Sequence, residues 1–196
     1  MTGSYCSYNN ASSLASAKKA ASAADVAIVF ASAHSGEGAD RENLLLQPVG
    51  AKDEGNFGDH YGGGWELSME DVIETVASTK TPVVVVLAVP GPIRTDWRTK
   101  VDAILCSFLP GEQYGNAIAD LIFGKVAPQA KLPVTFPLTE DDQGMSVLQY
   151  PGVPSKVFEG HLHVEYSEKQ ISGYRWYDKF GVSPAFPFGH GLTCEL

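Results

Sequence analysis

The stretch ADVAIVFASAHSGEGADRENLLL, residues 24–46, decides the fold and carries the strongest candidate site. It begins with the apolar run Val26–Phe30, whose β-branched and aromatic content is typical of a strand buried on both faces. A polar loop follows at Ser35–Gly38, with Glu37 between two glycines. Open α/β sheets place ligand-contacting groups just past the ends of their strands, so Glu37 is a candidate site residue. A solvated turn, in which the glycines only supply unusual backbone dihedrals, explains the same spacing equally well.

The rest of the chain alternates predicted helices with predicted strands. The alanine-rich residues 11–24 favour a helix that Ser12 or Ser13 could cap, and Ser68–Asp71 begins another helix with a capping-box pattern. Val83–Leu87 is an uninterrupted apolar run, which suits the middle of a parallel sheet. Further along, the patterns predict a strand within 101–109, a helix over 113–123 that ends at Gly124, and a short edge strand over 132–137. This order indicates an α/β fold with a mostly parallel sheet and helices on both faces.

Length, composition and charge describe an ordinary soluble globular protein. The 196 residues fit a single domain, and 44% of them are hydrophobic while 19% are charged. The 14 basic and 23 acidic side chains give a formal charge of −9, which argues against nucleic acid or a membrane surface as partner. No apolar run approaches the roughly 20 residues of a membrane span. Residues 1–5 lack the basic and apolar regions of a signal peptide, so the compartment stays open, and secretion within a longer protein is compatible with the sequence.

Two parts of the chain depart from the regular alternation. Residues 33–67 form a long polar loop whose aromatic residues favour a folded, ligand-facing segment over a linker. Residues 138–196 are irregular, polar at first and rich in aromatic residues and glycine near the end. We expect the last aromatic side chains to pack and tie down the chain end; they are Tyr174, Trp176, Phe186 and Phe188.

The sequence indicates no metal and no cofactor. His161 and His163 form a lone His-x-His pair without further ligands at matching spacing. The three cysteines, Cys6, Cys106 and Cys194, are too scattered for a zinc site or a disulfide framework, and we expect Cys106 to be a core thiol. A Gly-x-Ser-x-Gly elbow, a phosphate loop and a dinucleotide glycine fingerprint are all missing.

Four segments, in order along the chain, together resemble one family. They are ADVAIVF with SGEG and DRENL in 24–44, LPGEQ with GNAIAD and FG in 109–124, KLPVTFP at 131–137, and GYRWYD with FPFGHGL in 173–192. The set resembles the second, C-terminal domain of family 3 glycoside hydrolases, the β-glucosidase-like enzymes. The resemblance implies one domain over 1–196, a three-layer α/β/α sandwich with a mostly parallel, about six-stranded sheet, normally placed after a (β/α)8 barrel.

The resemblance also implies an activity and roles for individual residues. Enzymes of this family are retaining, exo-acting β-glycosidases, commonly of the β-glucosidase or β-xylosidase type, whose nucleophilic aspartate belongs to the barrel. In many of them the general acid/base glutamate lies in the Ser-Gly-Glu-Gly segment, which here is Glu37. Asp40 and Arg41 would shape the loop, with Arg41 paired to a carboxylate. Asp59 and Trp65 of the long loop are further candidates for substrate binding or loop shaping.

The chemistry sets requirements that this chain meets only in part. Retaining hydrolysis needs two carboxyl groups roughly 5 Å apart, one ionised as nucleophile and one protonated as donor. A proton donor at neutral pH needs a pKa above the roughly 4.3 of free glutamate. Because the barrel and its nucleophile are missing from this sequence, we expect the chain to be inactive alone. Its expected partners are a (β/α)8 barrel domain or subunit, or a second copy by self-association, and a β-linked glucoside or oligosaccharide as substrate.

Two alternatives stay open at this point. One is a non-catalytic carbohydrate-binding or assembly module with the same fold. The aromatic side chains that could stack on a sugar in such a module are Phe57, Tyr61, Trp65 and Trp97. The other is a self-contained hydrolase that pairs Glu37 with Asp53 or Asp59 of its own long loop.

Overall fold

The computed structural model describes residues 13–37, 41–46 and 67–192. Their helices and strands are α1 (Leu14–Ser22), β1 (Ala27–Ser32), α2 (Met69–Ala77), β2 (Val83–Ala88), β3 (Ala103–Cys106), α3 (Tyr114–Ile122), β4 (Val153–Pro154), β5 (Leu162–His163) and α4 (Tyr174–Phe180), with short 3₁₀ helices at Asp96–Lys100 and Glu140–Gln143. They fall into two compact units, the first ending at Ala117 and the second beginning at Ile118. Within these residues, no helix combines the length and the apolarity that crossing a membrane requires.

A parallel sheet in the order β1-β2-β3 forms the centre of the first unit. Val29 lies opposite Val85, which in turn lies opposite Ile104. The central strand is buried on both faces, since Val85, Val86 and Leu87 have no solvent-exposed surface, as its continuous apolar run predicts. The α/β class and the parallel sheet are therefore confirmed, and the described residues contain three parallel strands of the expected six or so.

Side-chain caps fix the starts of α1 and α2. Ser13 and Ser16 form a reciprocal capping box at α1, with N–H to Oγ distances of 3.1 and 3.2 Å. Ser68 caps α2 by accepting the Asp71 N–H at 3.2 Å. The return bond of the capping box predicted there is not found among the described residues, because Asp71 is one methylene shorter than the glutamate that usually makes it. The caps are otherwise as the sequence predicts.

The prediction that β1 is buried on both faces is wrong. Val26, Ile28 and Phe30 are exposed, Phe30 by 57%, whereas Ala31 is buried. Side chains alternate between the two faces of a strand, so the three exposed residues share one face. In the described sheet β1 lies at the edge, and α2 packs against β1 and β2. Among the described residues, α2 packs against one face of this edge strand, and the side chains on the opposite face are exposed.

In the second unit, the strand predicted over 132–137 is reduced to an antiparallel bridge between Phe136 and Phe186. The Phe136 N–H donates to the Phe186 carbonyl at 2.8 Å, and the Leu132 N–H donates to the His190 carbonyl at 2.8 Å. Pro133, between them, has no N–H to donate, so a continuous ladder cannot form. The segment pairs as an edge would, but it is not a regular strand.

Aromatic side chains near the end of the described residues pack against one another, as predicted. The rings of Tyr174 and Phe188 stack with centroids 4.9 Å apart. The Trp176 ring lies 4.1 Å from that of Phe180, and its Nε1–H donates to the Asp142 carbonyl at 3.0 Å. These contacts join α4 to the segments before and after it in the second unit.

The buried centre of β2 gives a test of the fold. Replacing Leu87 with Ala leaves a cavity in the sheet's core and should lower the free energy of unfolding by about 2–5 kcal/mol. The measurement is urea denaturation followed by circular dichroism. The matched control is Leu109→Ala, since Leu109 is 77% exposed and its loss should change stability by no more than about 0.5 kcal/mol. Equal effects of the two substitutions would contradict the assigned core.

Tyr177 gives a second test, based on pH. Burial, followed by the charge of Asp142, raises the pKa of the Tyr177 hydroxyl to about 12 from its ordinary value of 10.0. Between pH 10 and about 12 the unfolded chain therefore loses this proton while the folded chain keeps it. The contribution of Tyr177 to the free energy of unfolding is complete below pH 10 and falls as the pH rises to about 12. The urea midpoint of the wild type should fall across this range more steeply than that of Tyr177→Phe. Tyr166→Phe is the matched control because Tyr166 is exposed, and it should follow the wild type.

Candidate functional site

Glu37 lies just beyond the carboxyl end of β1. The ladder between β1 and β2 continues one bond past the end of β1, where the Ala33 N–H donates to the Ala88 carbonyl at 3.3 Å. Glu37 is exposed, and within the described residues its carboxylate has no hydrogen bond or ion pair. Ligand-contacting groups of parallel sheets are found at this edge, and the role of Glu37 as a site residue stays a prediction.

Arg41 is held by the backbone that follows β2. Its Nη1–H donates to the Pro92 carbonyl at 3.0 Å, and its Nη2 lies 3.6 Å from the position that a Cβ on Gly91 would take. The guanidinium is partly buried, and this desolvation lowers its pKa from the ordinary value of 12.5. Arginine remains charged in proteins, so the site keeps a fixed cation here. The predicted carboxylate partner is not found among the described residues, and Asp40 lies outside them.

The segment that follows Arg41 is anchored at two further points. The Arg94 N–H donates to the Leu44 carbonyl at 2.8 Å, and the Leu46 N–H donates to Glu70 Oε1 at 2.7 Å. Leu46 is buried, so this second anchor lies at the core of the first unit. Between them, Asn43 Oδ1 accepts the Leu45 N–H at 2.9 Å and closes a local turn. Residues 41–46 are therefore tied to the segment after β2 and to the first turn of α2.

The other predicted site residues have mixed outcomes. Asp40, Asp59 and Trp65 lie outside the described residues, as do Asp53, Phe57 and Tyr61. Trp97 lies in the 3₁₀ helix Asp96–Lys100 and has no exposed surface, so of its two possible roles, core packing and sugar stacking, the structure shows core packing. Its indole packs in the apolar core, where Nε1 has no hydrogen-bond partner among the described residues.

Three residues at the site have no place in the sequence prediction. The Pro92 carbonyl accepts a hydrogen bond and the Arg94 N–H donates one. Both are backbone groups, so no side-chain pattern in the sequence indicates them. The Pro90-Gly91-Pro92 sequence is typical of a turn after a strand, but it does not indicate the contact made there. Glu70 reads from sequence as an acidic residue in the first turn of a helix, a common preference that explains it without any long-range contact.

The histidine pair and the thiol in the described part of the chain do not build a second site. His163 Nε2 lies 3.6 Å from Glu165 Oε1, with both side chains about half exposed. No group of three or more histidine, cysteine, aspartate or glutamate side chains in residues 13–37, 41–46 and 67–192 could hold a metal ion. Cys106 is half-buried rather than fully in the core, and its desolvation raises the pKa of the thiol.

The anchoring of Arg41 leads to a test. Arg41→Ala removes a hydrogen bond from a charged donor and should lower the free energy of unfolding by about 1.5 kcal/mol. Urea denaturation of the variant and the wild type gives the difference. Lys80→Ala removes an exposed cation that follows α2 and should leave the urea midpoint unchanged. An equal midpoint for Arg41→Ala and the wild type would show that the Pro92 contact does not stabilise the fold.

The chain resembles β-glucosidases in both sequence and structure. Thermostable beta-glucosidase B of Acetivibrio thermocellus is 37% identical over 180 residues, which cover 90% of this chain and 20% of that protein. A beta-glucosidase of Rhizobium radiobacter is 44% identical over 130 residues, which cover 63% of this chain and 14% of that protein. The crystal structure of DesR, a beta-glucosidase from Streptomyces venezuelae in complex with D-glucose, matches 92% of this chain and 20% of that one, with a TM-score of 0.75 and 33% identity.

The matched region identifies which part of such proteins this chain corresponds to. The chain spans about one fifth of the length of the Acetivibrio thermocellus enzyme and of DesR. The family model described as the glycosyl hydrolase family 3 C-terminal domain matches residues 5–194, nearly the whole chain. The chain belongs to the glycosyl hydrolase family 3 C-terminal domain family.

Proposed function

We propose that this chain is the acid/base-bearing domain of a retaining, exo-acting β-glycosidase of the β-glucosidase or β-xylosidase type, with Glu37 as the general acid/base. The observation that carries the proposal is the position of Glu37, an exposed carboxylate just past the end of β1 in a Ser-Gly-Glu-Gly segment. Family membership supports it, as do relatives that are themselves named β-glucosidases. The 196 residues act as one domain in this proposal.

The proposed reaction divides between two carboxyl groups. A carboxylate on a (β/α)8 barrel attacks the anomeric carbon of a β-linked glucoside while Glu37 donates its proton to the leaving oxygen. The glycosyl-enzyme bond is then broken by water, from which Glu37 removes a proton. No cofactor is needed, because proton transfer and covalent catalysis supply the chemistry.

The domain depends on its partner in this proposal. Proton donors of glycosidases work in sites from which water is largely excluded, whereas Glu37 is exposed in the described residues. A bound sugar and a barrel surface would supply that exclusion together with the nucleophile. The chain alone is therefore expected to be inactive. Asp40, Asp59 and Trp65 are proposed to bind substrate or shape the loop, and Arg41 to hold it.

The acid/base role predicts a dependence on the leaving group. With the full chain joined to the barrel of a β-glucosidase relative, Glu37→Gln should lower kcat/KM for cellobiose by about 10²-fold or more, because a poor leaving group needs the proton. For 2,4-dinitrophenyl β-glucoside, whose leaving group is stable as an anion, formation of the glycosyl-enzyme should stay near the wild-type rate. The measurement is steady-state and burst kinetics on both substrates. Glu42→Gln, an exposed glutamate five positions on, is the matched control and should behave as the wild type.

Two outcomes would overturn this assignment. Equal kcat/KM values for Glu37→Gln and the wild type on cellobiose would show that Glu37 is not the donor. Hydrolysis of cellobiose by the chain without any barrel would show a self-contained hydrolase instead. In that case a second carboxylate of the chain, such as Asp53 or Asp59, would have to be the nucleophile.

A further inference from the structure

We propose that the second unit carries a carbohydrate-binding pocket of its own, in a cavity that α4 forms with Thr135 and the segment 182–188. Its ligand is a single ring of a neutral sugar, either free or at the end of a longer saccharide. The pocket takes no part in bond breaking. It goes beyond the proposed function, because it binds sugar whether or not Glu37 is an acid/base residue.

One face of α4 contributes to this cavity. Tyr174, Tyr177 and Asp178 are spaced i, i+3 and i+4 along the helix, so their side chains share a face, and all three line the cavity. The other lining residues are Thr135 and side chains of the segment 182–188, among them two prolines and Phe188. The cavity has a volume of about 170 Å³. Pockets that enclose drug-sized ligands have roughly 300–1,000 Å³, so this one suits a single sugar ring.

Backbone hydrogen bonds hold the two segments of the cavity together. Thr135 precedes Phe136, whose N–H donates to the Phe186 carbonyl at 2.8 Å and whose carbonyl accepts the Ala185 N–H at 2.9 Å. These bonds join the backbone next to Thr135 to the segment that continues to Phe188. A ligand therefore meets a site that is formed before it binds, as is usual for small-molecule pockets.

Aromatic rings supply the apolar wall that a sugar ring needs. Tyr174 and Phe188 stack with centroids 4.9 Å apart and an angle of 29° between the ring planes. Both rings remain exposed to solvent. The faces of a pyranose ring carry C–H groups, which pack against aromatic side chains. Because the two rings already order each other, little rotamer freedom is left for them to lose on binding.

Two polar groups of the cavity lack partners that a sugar has to offer. Asp178 is exposed, and its carboxylate has no hydrogen bond or ion pair within the described residues. Thr135 is only 6% exposed, and its hydroxyl has no hydrogen-bond partner in residues 13–37, 41–46 and 67–192. Buried polar groups in proteins are as a rule hydrogen-bonded, so this hydroxyl marks the place of a further donor or acceptor. Sugar hydroxyls both donate and accept, and so match a carboxylate and a hydroxyl together.

Charge restricts the ligand to sugars without an acidic group. Asp178 is the one charged side chain among the described residues that line the cavity. The chain as a whole carries a formal charge of −9. A carboxylate or phosphate on the sugar would lie close to the Asp178 carboxylate and be repelled by it.

The test is an NMR titration of the full chain with methyl β-D-glucoside. Amide signals of Tyr177, Asp178 and Val182 should shift, with a Kd on the order of 1 mM, the affinity that a small ligand of this size ordinarily reaches. Methyl β-D-glucuronide, which adds a carboxylate to the same ring, should bind about tenfold more weakly or worse.

Substitutions at the cavity should weaken binding of the glucoside. Asp178→Ala removes a charged hydrogen-bond acceptor and should raise the Kd about tenfold. Thr135→Val removes the hydroxyl but keeps the side-chain volume, and should raise the Kd about fivefold. Asp141→Ala and Phe123→Ala are the matched controls, since both residues are exposed in the second unit and do not line the cavity, and they should bind as the wild type does. A wild-type urea midpoint for Asp178→Ala shows that its weaker binding does not come from unfolding.

Glu37→Gln separates this inference from the proposed function. It should bind methyl β-D-glucoside with the wild-type Kd and shift the same amides. Three results would each refute the pocket: no shifts at the cavity with up to about 20 mM glucoside, which would fill most of a millimolar site, an unchanged Kd in Asp178→Ala, or equal binding of the glucuronide. Loss of binding in Glu37→Gln would place the sugar at the Glu37 segment and refute the pocket as well. The acid/base role stands or falls separately, on the leaving-group kinetics of Glu37→Gln.

Discussion

Strand β2 pairs on both of its edges, with β1 on one side and β3 on the other, and its side chains Val85, Val86 and Leu87 are completely buried. This pairing on both edges fixes the register of β1 and β3, and with it the positions of their carboxyl ends. It also fixes the backbone that leaves β2, where the Pro92 carbonyl receives Arg41 and the Arg94 N–H binds Leu44. Arg41 and Leu44 are thus held by backbone groups whose positions follow from the burial of one strand.

Each of the hydrogen bonds that hold Arg41, Leu44 and Leu46 has at least one backbone partner. A carbonyl or an N–H next to a buried strand cannot move without breaking the sheet, whereas a surface side chain has several rotamers to choose from. An ion pair between exposed side chains would stabilise the segment by no more than about 1 kcal/mol. Arg41 bound to a carbonyl, and Glu70 bound to an N–H, each combine one charged side chain with one rigid partner. The resulting bonds are charge-assisted and require only one side chain to be ordered.

The sequence predicted those features that depend on local pattern and failed where distant neighbours decide. Three predicted features follow from short-range rules, and each is present. They are the apolar run of β2, the Ser13 cap of α1, and Gly124 after α3, which has a φ of 70°. The exposure of Val26, Ile28 and Phe30 on one face of β1 could not be predicted, because an apolar run does not indicate which other elements will cover it. Glu37 is a candidate because of its loop and family segment, whereas the Glu70–Leu46 hydrogen bond joins residues 24 positions apart and has no local signature. The expectation of a carboxylate partner for Arg41 likewise did not indicate its hydrogen bond to the Pro92 carbonyl.

Under the proposed function, the exposure of Glu37 and the anchoring of residues 41–46 suit a site that a second domain would complete. If the segment were flexible, docking of a partner would have to order it, at a cost of about 0.5–1.5 kcal/mol for each immobilised side chain, before any catalytic geometry existed. Anchors at Leu44 and Leu46 remove part of that cost in advance, since they are present in the chain by itself. The exposure of Glu37 then ceases to be an objection to its proposed role. In the proposed reaction, Glu37 would have to reach both a sugar and a carboxylate of another domain, and a buried side chain could not do so.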